Sequence, residues 1–290
     1  MKILFCPKNA SLLTFENMAD EKITATNILM EQHIIQSSFL DREVIVDAYL
    51  PTNVEYPEHM SLLLINDGQD LPKMPFDEIL DRLLSTNEIE PLVCLGIHCG
   101  PERKMEYATA KQLDYLGRGV KAGAYTQFIF EELLPFIRKK YLVHSFKEKS
   151  FAGFSLGALS ALDIVWNHPE EFTKTGCFSG SFWWRSKSYK HGYNDATDRI
   201  MQQQIKHGKC HPWLSFFFEC GAMDETKDRN HNGIIDSIDD TLDLIKELQH
   251  VGYTNSSIKY LELADGTHDV PTWGRAFPEF LKWGWGKESL

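Results

Sequence analysis

Ser150-Phe151-Ala152-Gly153-Phe154-Ser155-Leu156-Gly157-Ala158-Leu159 is the stretch of sequence that decides the fold. Its first part is a short apolar run of strand length, and a helical pattern follows from Leu156 to about Asn167. Between them stands the pattern G-x-S-x-G. In a strand–turn–helix context this pattern presents a serine hydroxyl on a strained turn, and small flanking residues keep the strand and the helix from colliding. A plain Gly/Ser turn is the alternative, but the flanking elements favour Ser155 as a nucleophile.

Strand-like and helix-like segments alternate along the rest of the chain. The strands are predicted at residues 27–37, 43–50, 61–65, 91–97, 150–153, 175–178, 214–220 and 258–263, and further helices at 125–141, 239–251 and 272–283. Short, nearly all-apolar runs are typical of strands buried on both faces of a parallel sheet. With the serine turn, the pattern predicts an α/β-hydrolase fold. We expect a mostly parallel central sheet flanked by helices, antiparallel N-terminal strands, and one domain over residues 1–290.

A serine hydroxyl needs a neighbouring base to take its proton. In this fold the chain order is serine, acid, histidine. Of the three histidines beyond residue 220, His231 lies in a polar loop and His250 in an amphipathic helix. His268 alone follows a predicted strand, where such sheets present catalytic groups. An exposed loop histidine is the alternative, and we favour His268 as the base.

The acid is expected just after the strand at residues 214–220. Asp224 has that position, and an ordinary surface aspartate is the alternative. Glu225, Asp265 and Asp269 are less favoured, the last two because immediate neighbours of a histidine rarely orient its side chain. His98 precedes the serine in the chain and is therefore interpreted as a pocket or packing residue.

The oxyanion hole should combine two backbone amides. One is the N–H of Leu156, directly after the nucleophile, and the other comes from the loop after Ile65. In that loop Gly68 lets the backbone approach closely, and Gln69 is the predicted donor. A plain turn is the alternative for this loop.

A second motif lies at residues 228–239. Its spacing matches the loop of an EF-hand calcium site, with a glycine at the sixth position for the sharp turn. The predicted ligands are Asp228, Asn230, Asn232, the carbonyl of Ile234, Asp236 and Asp239. The twelfth position holds aspartate instead of glutamate, and a solvated acidic loop that caps the next helix is the alternative. Calcium would be structural here and would fix the segment that carries Asp224, and no cofactor is expected for catalysis.

The bulk composition excludes some classes of partner. The formal net charge of -11 argues against nucleic acid as the main partner, because phosphate binding needs clustered Lys and Arg. The sequence contains no run of about 18 apolar residues, so no membrane-spanning helix is predicted. Residues 1–13 lack a signal-peptide pattern, so the six cysteines are interpreted as reduced thiols and the location as cytoplasmic. A homo-oligomer is left open.

The assembled motifs resemble an esterase family of α/β-hydrolases that includes enterochelin esterases, feruloyl and acetyl-xylan esterases and esterase D. The resemblance begins near residue 36 and rests on Gly153-Phe154-Ser155-Leu156-Gly157, Asn66-Asp67-Gly68-Gln69, Asp114-Tyr115 with Gly117-Arg118-Gly119, and Gly266-Thr267-His268-Asp269 before Pro271-Thr272-Trp273. It implies a triad of Ser155, Asp224 and His268. Asp67-Gly68 departs from the family, in which many members have His-Gly.

The predicted function is hydrolysis of a carboxylic ester through an acyl-enzyme, with an acylated sugar, an aryl ester or a siderophore lactone as substrate. The segment 181–212 could roof the pocket, with Trp183, Trp184 and Arg185, and Trp273 forms a second candidate wall. A packing role for these aromatic residues is the alternative. A thioesterase or an acyltransferase would use the same triad. A non-catalytic calcium-binding protein on a hydrolase scaffold is the alternative from another class.

Overall fold

The protein is described here from a computed structural model, which covers residues 26–52, 54 and 60–287. The segment 1–13, predicted to lack a signal peptide, lies outside these residues. Eight strands run through the described part of the chain, and their bounds are β1 Ile28–Ser37, β2 Arg42–Pro51, β3 Ser61–Asn66, β4 Leu92–Ile97, β5 Lys149–Phe154, β6 Lys174–Phe178, β7 Ser215–Met223 and β8 Ile258–Thr267.

All eight strands join one sheet in the order β1-β2-β4-β3-β5-β6-β7-β8. The pairs β1/β2 and β2/β4 are antiparallel, and every pair from β4/β3 to β7/β8 is parallel. The predicted α/β sheet with antiparallel N-terminal strands is therefore confirmed. Because β3 and β5 to β8 run in the same direction, their carboxyl ends meet at one edge, and the loops that carry the predicted site residues leave from there.

Helices cover both faces of this sheet. Their bounds are α1 Phe76–Ser85, α2 Arg103–Glu106, α3 Ala122–Gln127, α4 Leu134–Tyr141, α5 Leu156–Asn167, α6 Asp195–Asp198, α7 Ile200–Lys206, α8 Asp236–His250 and α9 Val270–Trp285. The predicted helix 125–141 is α3 and α4 joined by a π-helical stretch, Phe128–Leu133. Pro135 explains this stretch, because it has no N–H for the α-helical bond to Glu131. The helices α1 and α2 were not predicted.

The turn between β5 and α5 has the geometry that the sequence predicts. Ser155 has φ 54° and ψ -117°, a strained conformation for a residue with a side chain. The strand and the helix approach so closely that a Cβ on Gly153 would lie 2.5 Å from the backbone of Gly157. A Cβ on Gly157 would lie 2.7 Å from the Asp67 carboxylate. Both positions therefore require glycine for steric reasons.

An aromatic cluster holds α9 against the sheet. Phe178 of β6 stacks on Phe277 of α9 with ring centroids 4.9 Å apart, and Phe154 of β5 stacks on Trp273 at 5.0 Å. Burial of each such ring contributes roughly 1.5–3 kcal/mol to stability. The start of α9 is capped by Asp269, whose carboxylate accepts the Thr272 N–H at 2.9 Å. The residue before this cap, His268, is thereby held close to the sheet edge.

The segment 181–212 is more ordered than its irregular sequence suggests. It contains α6 and α7, and Phe182 and Met201 are fully buried in the core. Arg199 is buried and pairs with Asp240 of α8 at 2.6 Å. The core and a buried ion pair hold most of this segment in place. Only the part before α6 is therefore left to cover a pocket as predicted.

None of the helices in the described ranges is long and apolar enough to cross a membrane. Five of the cysteines lie in these ranges, and all five are free thiols.

The close approach at the serine turn gives a first prediction. Gly153→Ala should destabilise the protein by about 3 kcal/mol or more, because its Cβ would overlap backbone atoms that cannot move independently. The matched control is Gly123→Ala in α3, where an added Cβ meets nothing within 4 Å. There we expect a gain of about 0.5–1 kcal/mol from helix propensity. Urea unfolding of both variants measures this, and equal free energies of unfolding would contradict the steric account.

Candidate active site

The strands β7 and β8 extend further than predicted, and their extension brings the acid and the base together. Met223, the last residue of β7, pairs with Thr267, the last residue of β8. Asp224 and His268 are the next residues on each strand. The extension depends on Gly221, because a Cβ there would lie 2.4 Å from the carbonyl oxygen of Gly266. Two residues 44 positions apart in the chain thus become neighbours at the sheet edge.

The side chain of Asp224 faces that of His268. The distance from Asp224 Oδ2 to His268 Nδ1 is 3.9 Å, which is longer than a hydrogen bond. The Asp224 side chain is fully buried, and neither carboxylate oxygen has a hydrogen-bond partner among the described residues. The His268 side chain is 38% exposed, and its ring meets the edge of Trp273 at 5.4 Å. The Asp224 carboxylate is therefore shielded from solvent, while the His268 ring reaches solvent.

Two of the less favoured acids, Asp265 and Asp269, have other partners. Asp269 caps α9, and its second carboxylate oxygen accepts a hydrogen bond from Thr267 at 2.8 Å. Asp265 forms an ion pair with Arg275. Among the described residues, the Asp224 carboxylate has no such partner and faces His268.

Ser155 lies at the start of α5, where the unpaired amides and the helix dipole favour negative charge. Its N–H donates to the Phe178 carbonyl oxygen at 2.9 Å, which holds the turn against β6. Its hydroxyl shares a hydrogen bond with the Ser181 hydroxyl at 3.3 Å. No hydrogen bond joins it to His268 in the described part of the chain. Catalytic hydrogen bonds are often long before substrate binds, so this geometry does not remove His268 as the base.

The loop after β3 contains an ion pair that the sequence did not reveal. Arg103 of α2 binds the buried Asp67 carboxylate with two hydrogen bonds of 2.7 Å. The same guanidinium donates to the Phe154 carbonyl oxygen at 3.3 Å, one residue before the nucleophile. This bidentate pair ties the turn of the nucleophile to the oxyanion loop. No local signal predicts it, because its two members are 36 residues apart.

The predicted oxyanion loop is rigid. Gly68 approaches the backbone of Gly96 in β4 closely. A Cβ added to Gly68 would lie 2.3 Å from the Gly96 carbonyl carbon. The Gln69 side chain accepts a hydrogen bond from the Cys99 N–H at 3.1 Å. Gln69 is thus fixed by its side chain, and the role of its backbone amide, like that of Leu156, stays a prediction.

A cavity of about 310 Å³ opens at the start of the segment 181–212. It is lined by Tyr115, Arg118, Trp183, Arg185, Tyr189, Glu225, Lys227 and Asp236. The lining includes Glu225, the residue after Asp224, and Trp183, two residues after Ser181. Trp183 and Arg185 therefore lie where the sequence predicted a pocket.

Two of the predicted pocket residues do not line this cavity. The Trp184 side chain is fully buried in the core, directly beneath the Arg118 guanidinium, which lies 4.7 Å from its ring. Trp273 is 7% exposed and donates its indole N–H to Ser179 at 2.9 Å. Trp273 supports the His268 ring from behind, so for these two residues the packing alternative describes the structure better.

Arg185 is the most unusual group in the cavity. It is 9% exposed, and its guanidinium lies 4.2 Å from the ring of Tyr189 and 4.8 Å from that of Tyr115. Within the described ranges no carboxylate pairs with it, and its Nε has no hydrogen-bond partner. Cation–π contacts stabilise the charge without neutralising it. The cavity thus combines aromatic rings with an uncompensated cation.

The calcium-like loop has a compact structure. Asp228 accepts hydrogen bonds from the backbone of Asn232 at 3.1 Å and of Gly233 at 2.9 Å. The Asp239 carboxylate accepts from the side-chain amides of Asn230 at 2.7 Å and Asn232 at 3.3 Å. Four of the predicted ligands therefore converge. In the ranges that the structure describes, no group of three or more His, Cys, Asp or Glu side chains could hold a metal ion.

Asp236, another predicted ligand, is engaged elsewhere. Its carboxylate accepts the Arg229 N–H at 2.8 Å and lies 3.3 Å from the Arg229 guanidinium. That guanidinium also contacts Asp195 and the buried Asp240. An arginine inside the loop thus neutralises carboxylates that the sequence assigned in part to calcium. The calcium site, with the carbonyl of Ile234 as a ligand, stays a prediction.

The sheet order, the strained serine turn and the approach of Asp224 to His268 at one sheet edge are features of an α/β-hydrolase. A family model described as "Putative esterase" matches residues 37–283. The chain belongs to this family. The predicted class, carboxylic ester hydrolase, is thereby confirmed.

Individual relatives agree in fold. The chain is 22% identical over 232 residues to the Bacillus subtilis protein YbbA, with 77% of this chain and 84% of YbbA covered. It superposes on enterochelin esterase from Shigella flexneri with a TM-score of 0.69 at 21% identity, covering 89% of this chain and 58% of that one. A ferulic acid esterase gives a TM-score of 0.64 at 17% identity, with 89% and 98% covered. The chain thus spans less than two thirds of the enterochelin esterase and nearly all of the ferulic acid esterase.

The loop at residues 228–239 gives a second prediction. If the loop binds calcium, the melting temperature should be higher in calcium than in chelator. At a calcium concentration a hundredfold above the dissociation constant, binding should add about 2.7 kcal/mol to the free energy of unfolding. Asp239→Ala should abolish this rise, because it removes the predicted ligand at the last position of the loop, whose carboxylate contacts the side chains of Asn230 and Asn232. Differential scanning calorimetry with calcium, magnesium or chelator measures it. Identical melting temperatures in calcium and in chelator would leave the acidic-loop alternative.

Proposed function

We propose that the protein hydrolyses a carboxylic ester by two-step acyl transfer, with Ser155 as nucleophile, His268 as general base and Asp224 as the group that orients this base. The observation that carries the proposal is the pairing of the last residues of β7 and β8. It sets Asp224 Oδ2 3.9 Å from His268 Nδ1 at the sheet edge from which Ser155 emerges. Serine, acid and histidine also occur in the chain order expected for this fold.

In the first step the Ser155 hydroxyl attacks the ester carbonyl while His268 takes its proton. The imidazolium that forms is stabilised by Asp224, whose carboxylate is shielded from water and free of competing donors. The negative charge on the carbonyl oxygen develops at the N-terminus of α5. There the backbone N–H of Leu156 is one expected donor, and the amide of Gln69 is the second.

In the second step His268 gives its proton to the leaving alcohol and then activates a water molecule. This water attacks the acyl group on Ser155 and regenerates the free hydroxyl. The Ser155–Ser181 hydrogen bond supports this account, because it holds the nucleophile in a defined position before substrate arrives. The Asp67–Arg103 pair adds rigidity one residue before Ser155.

The substrate we propose is an ester with an aromatic group. The cavity, whose lining includes Glu225 directly after Asp224, offers the rings of Trp183, Tyr115 and Tyr189, which provide flat apolar surface for the ring of a substrate. Its volume of about 310 Å³ suits a single substituted ring with a short chain. The name of the similar ferulic acid esterase refers to an aromatic acid, which agrees with this choice.

The triad gives a third prediction. Ser155→Ala should lower kcat/KM for p-nitrophenyl acetate by at least about 10⁴-fold, because removal of the nucleophile disables the whole triad. Asp224→Asn should lower it on the order of 10²–10⁴-fold with the fold intact. The control Ser256→Ala changes an exposed loop serine and should keep full activity. Activity that survives Ser155→Ala would exclude the proposed mechanism.

The aromatic cavity gives a fourth prediction. Trp183→Ala should lower kcat/KM about tenfold for a methyl ester of a hydroxycinnamic acid, because an aromatic contact contributes about 0.5–1.5 kcal/mol beyond area burial. For a straight-chain methyl ester the change should be small. Trp213→Ala, at an exposed tryptophan outside the cavity lining, is the control. An equal loss on both substrates would remove the aryl preference and leave the triad untouched.

A further inference from the structure

One carboxyl group behind the proposed triad has no role in the mechanism. Glu219 lies in the middle of the apolar run of β7, and its residue is fully buried. Neither of its carboxyl oxygens has a hydrogen-bond partner among the described residues. An ionised carboxylate in such a place is very costly, so the group is held in its neutral, protonated form.

Glu219 and Gly221 are two residues apart in β7 and project from the same face of the strand. A Cβ on Gly221 would lie 2.6 Å from Asp224 Oδ1, so the Asp224 carboxylate lies on the face that bears the Glu219 side chain. The pKa of Glu219 is raised to about 8, first by burial and then by the negative charge of Asp224. Ser179, the residue after β6, lowers this pKa to a smaller extent, but its backbone N–H donates to the Glu219 backbone carbonyl oxygen at 2.8 Å and not to the carboxyl group. Arg275 of α9 also lowers it, but this guanidinium is exposed and already pairs with Asp265. The neighbouring Cys220 thiol stays neutral, because burial raises its pKa.

The two carboxyl groups therefore share one dry space. The Asp224 carboxylate has no hydrogen-bond partner among the described residues, and His268 Nδ1 at 3.9 Å is its ion-pair partner there. Its position depends on the electrostatic field around it. Two like charges in such a site cannot both persist without cost, so a charge on Glu219 would push the Asp224 carboxylate away from its place behind the base.

We propose that Glu219 is a positioning residue of the triad, which acts as a neutral acid that keeps Asp224 the single negative charge behind His268. Loss of the Glu219 proton to solvent at alkaline pH then repels Asp224 and disables the base. The proposal rests on the triad proposed above. It assigns the alkaline limit of activity to a carboxyl group in a strand and not to a group that touches substrate.

The test is the pH profile of Glu219→Gln, which keeps the shape of the side chain and cannot ionise. In the wild type, kcat/KM should fall as pH rises through about 8, because kcat/KM reports ionisations of the free enzyme. The Gln variant should keep its activity at pH 7 and lose this alkaline limb. Glu279→Gln, at an exposed glutamate of α9, is the control and should follow the wild type.

Stability gives an independent readout that does not need activity. A glutamate in the unfolded chain titrates near its ordinary value, about 4.3, whereas Glu219 in the folded protein titrates near 8. Between these values the folded state keeps a proton that the unfolded state loses, so wild-type stability falls as pH rises. The melting temperature of Glu219→Gln relative to the wild type should therefore increase from pH 5 to pH 8. The Glu279→Gln difference should stay constant.

The outcomes separate this inference from the proposed function. If Asp224→Asn inactivates the enzyme while Glu219→Gln keeps the alkaline limb and a constant melting-temperature difference, the role of Glu219 is overturned and the triad stands. If Asp224→Asn keeps full activity, the orienting acid itself is wrong. Should Glu219→Gln fail to fold, infrared spectroscopy of the wild type decides. A protonated-carboxyl band that disappears as pH rises through 8 supports the inference, and its absence at pH 7 overturns it.

Discussion

The contact between the backbones of Gly153 and Gly157 is the constraint on which the rest of the site depends. This approach leaves no room for a side chain on Gly153, while the Asp67 carboxylate and Asn66 leave none on Gly157, and Ser155 between the two glycines has a positive φ. The strain at Ser155 is held by the Phe178 carbonyl on one side and by the Asp67–Arg103 pair on the other. The result is a hydroxyl exposed at the sheet edge and at the N-terminus of a helix, where a developing negative charge is stabilised.

The proposed acid and base, Asp224 and His268, follow the same principle on the neighbouring strands. Gly221 and Gly266 let β7 and β8 continue as a pair to Met223 and Thr267, so that both functional side chains begin where regular structure ends. Packing of Trp273 on Phe154 then links the helix after His268 to the strand before Ser155. The catalytic geometry is therefore a consequence of backbone approach and aromatic packing, and the functional side chains themselves contribute few of the contacts that maintain it.

The sequence predicted those parts of the structure that have local signals. The strand–turn–helix at Ser155 and the helix α5 follow from a pattern of adjacent residues, and the order of serine, acid and histidine selected Asp224 and His268. The extension of β7 and β8 could not be predicted, because glycine and aspartate at residues 221–224 and 265–266 are typical of loops and only the pairing of the two strands stabilises them. The Asp67–Arg103 pair likewise has no local signal. Glu219 does have a local signal, since a lone carboxylate directly after Phe216-Phe217-Phe218 is unusual in a buried strand.

The most direct test of the account is covalent labelling with a fluorophosphonate, followed by mass spectrometry of the digested protein. Such a reagent reacts with a serine only when a base activates its hydroxyl. The account predicts a single adduct on Ser155, formed at least about 10²-fold more slowly in the His268→Ala variant because the general base is lost. An adduct on another residue, or a labelling rate that is unchanged without the imidazole, would contradict it.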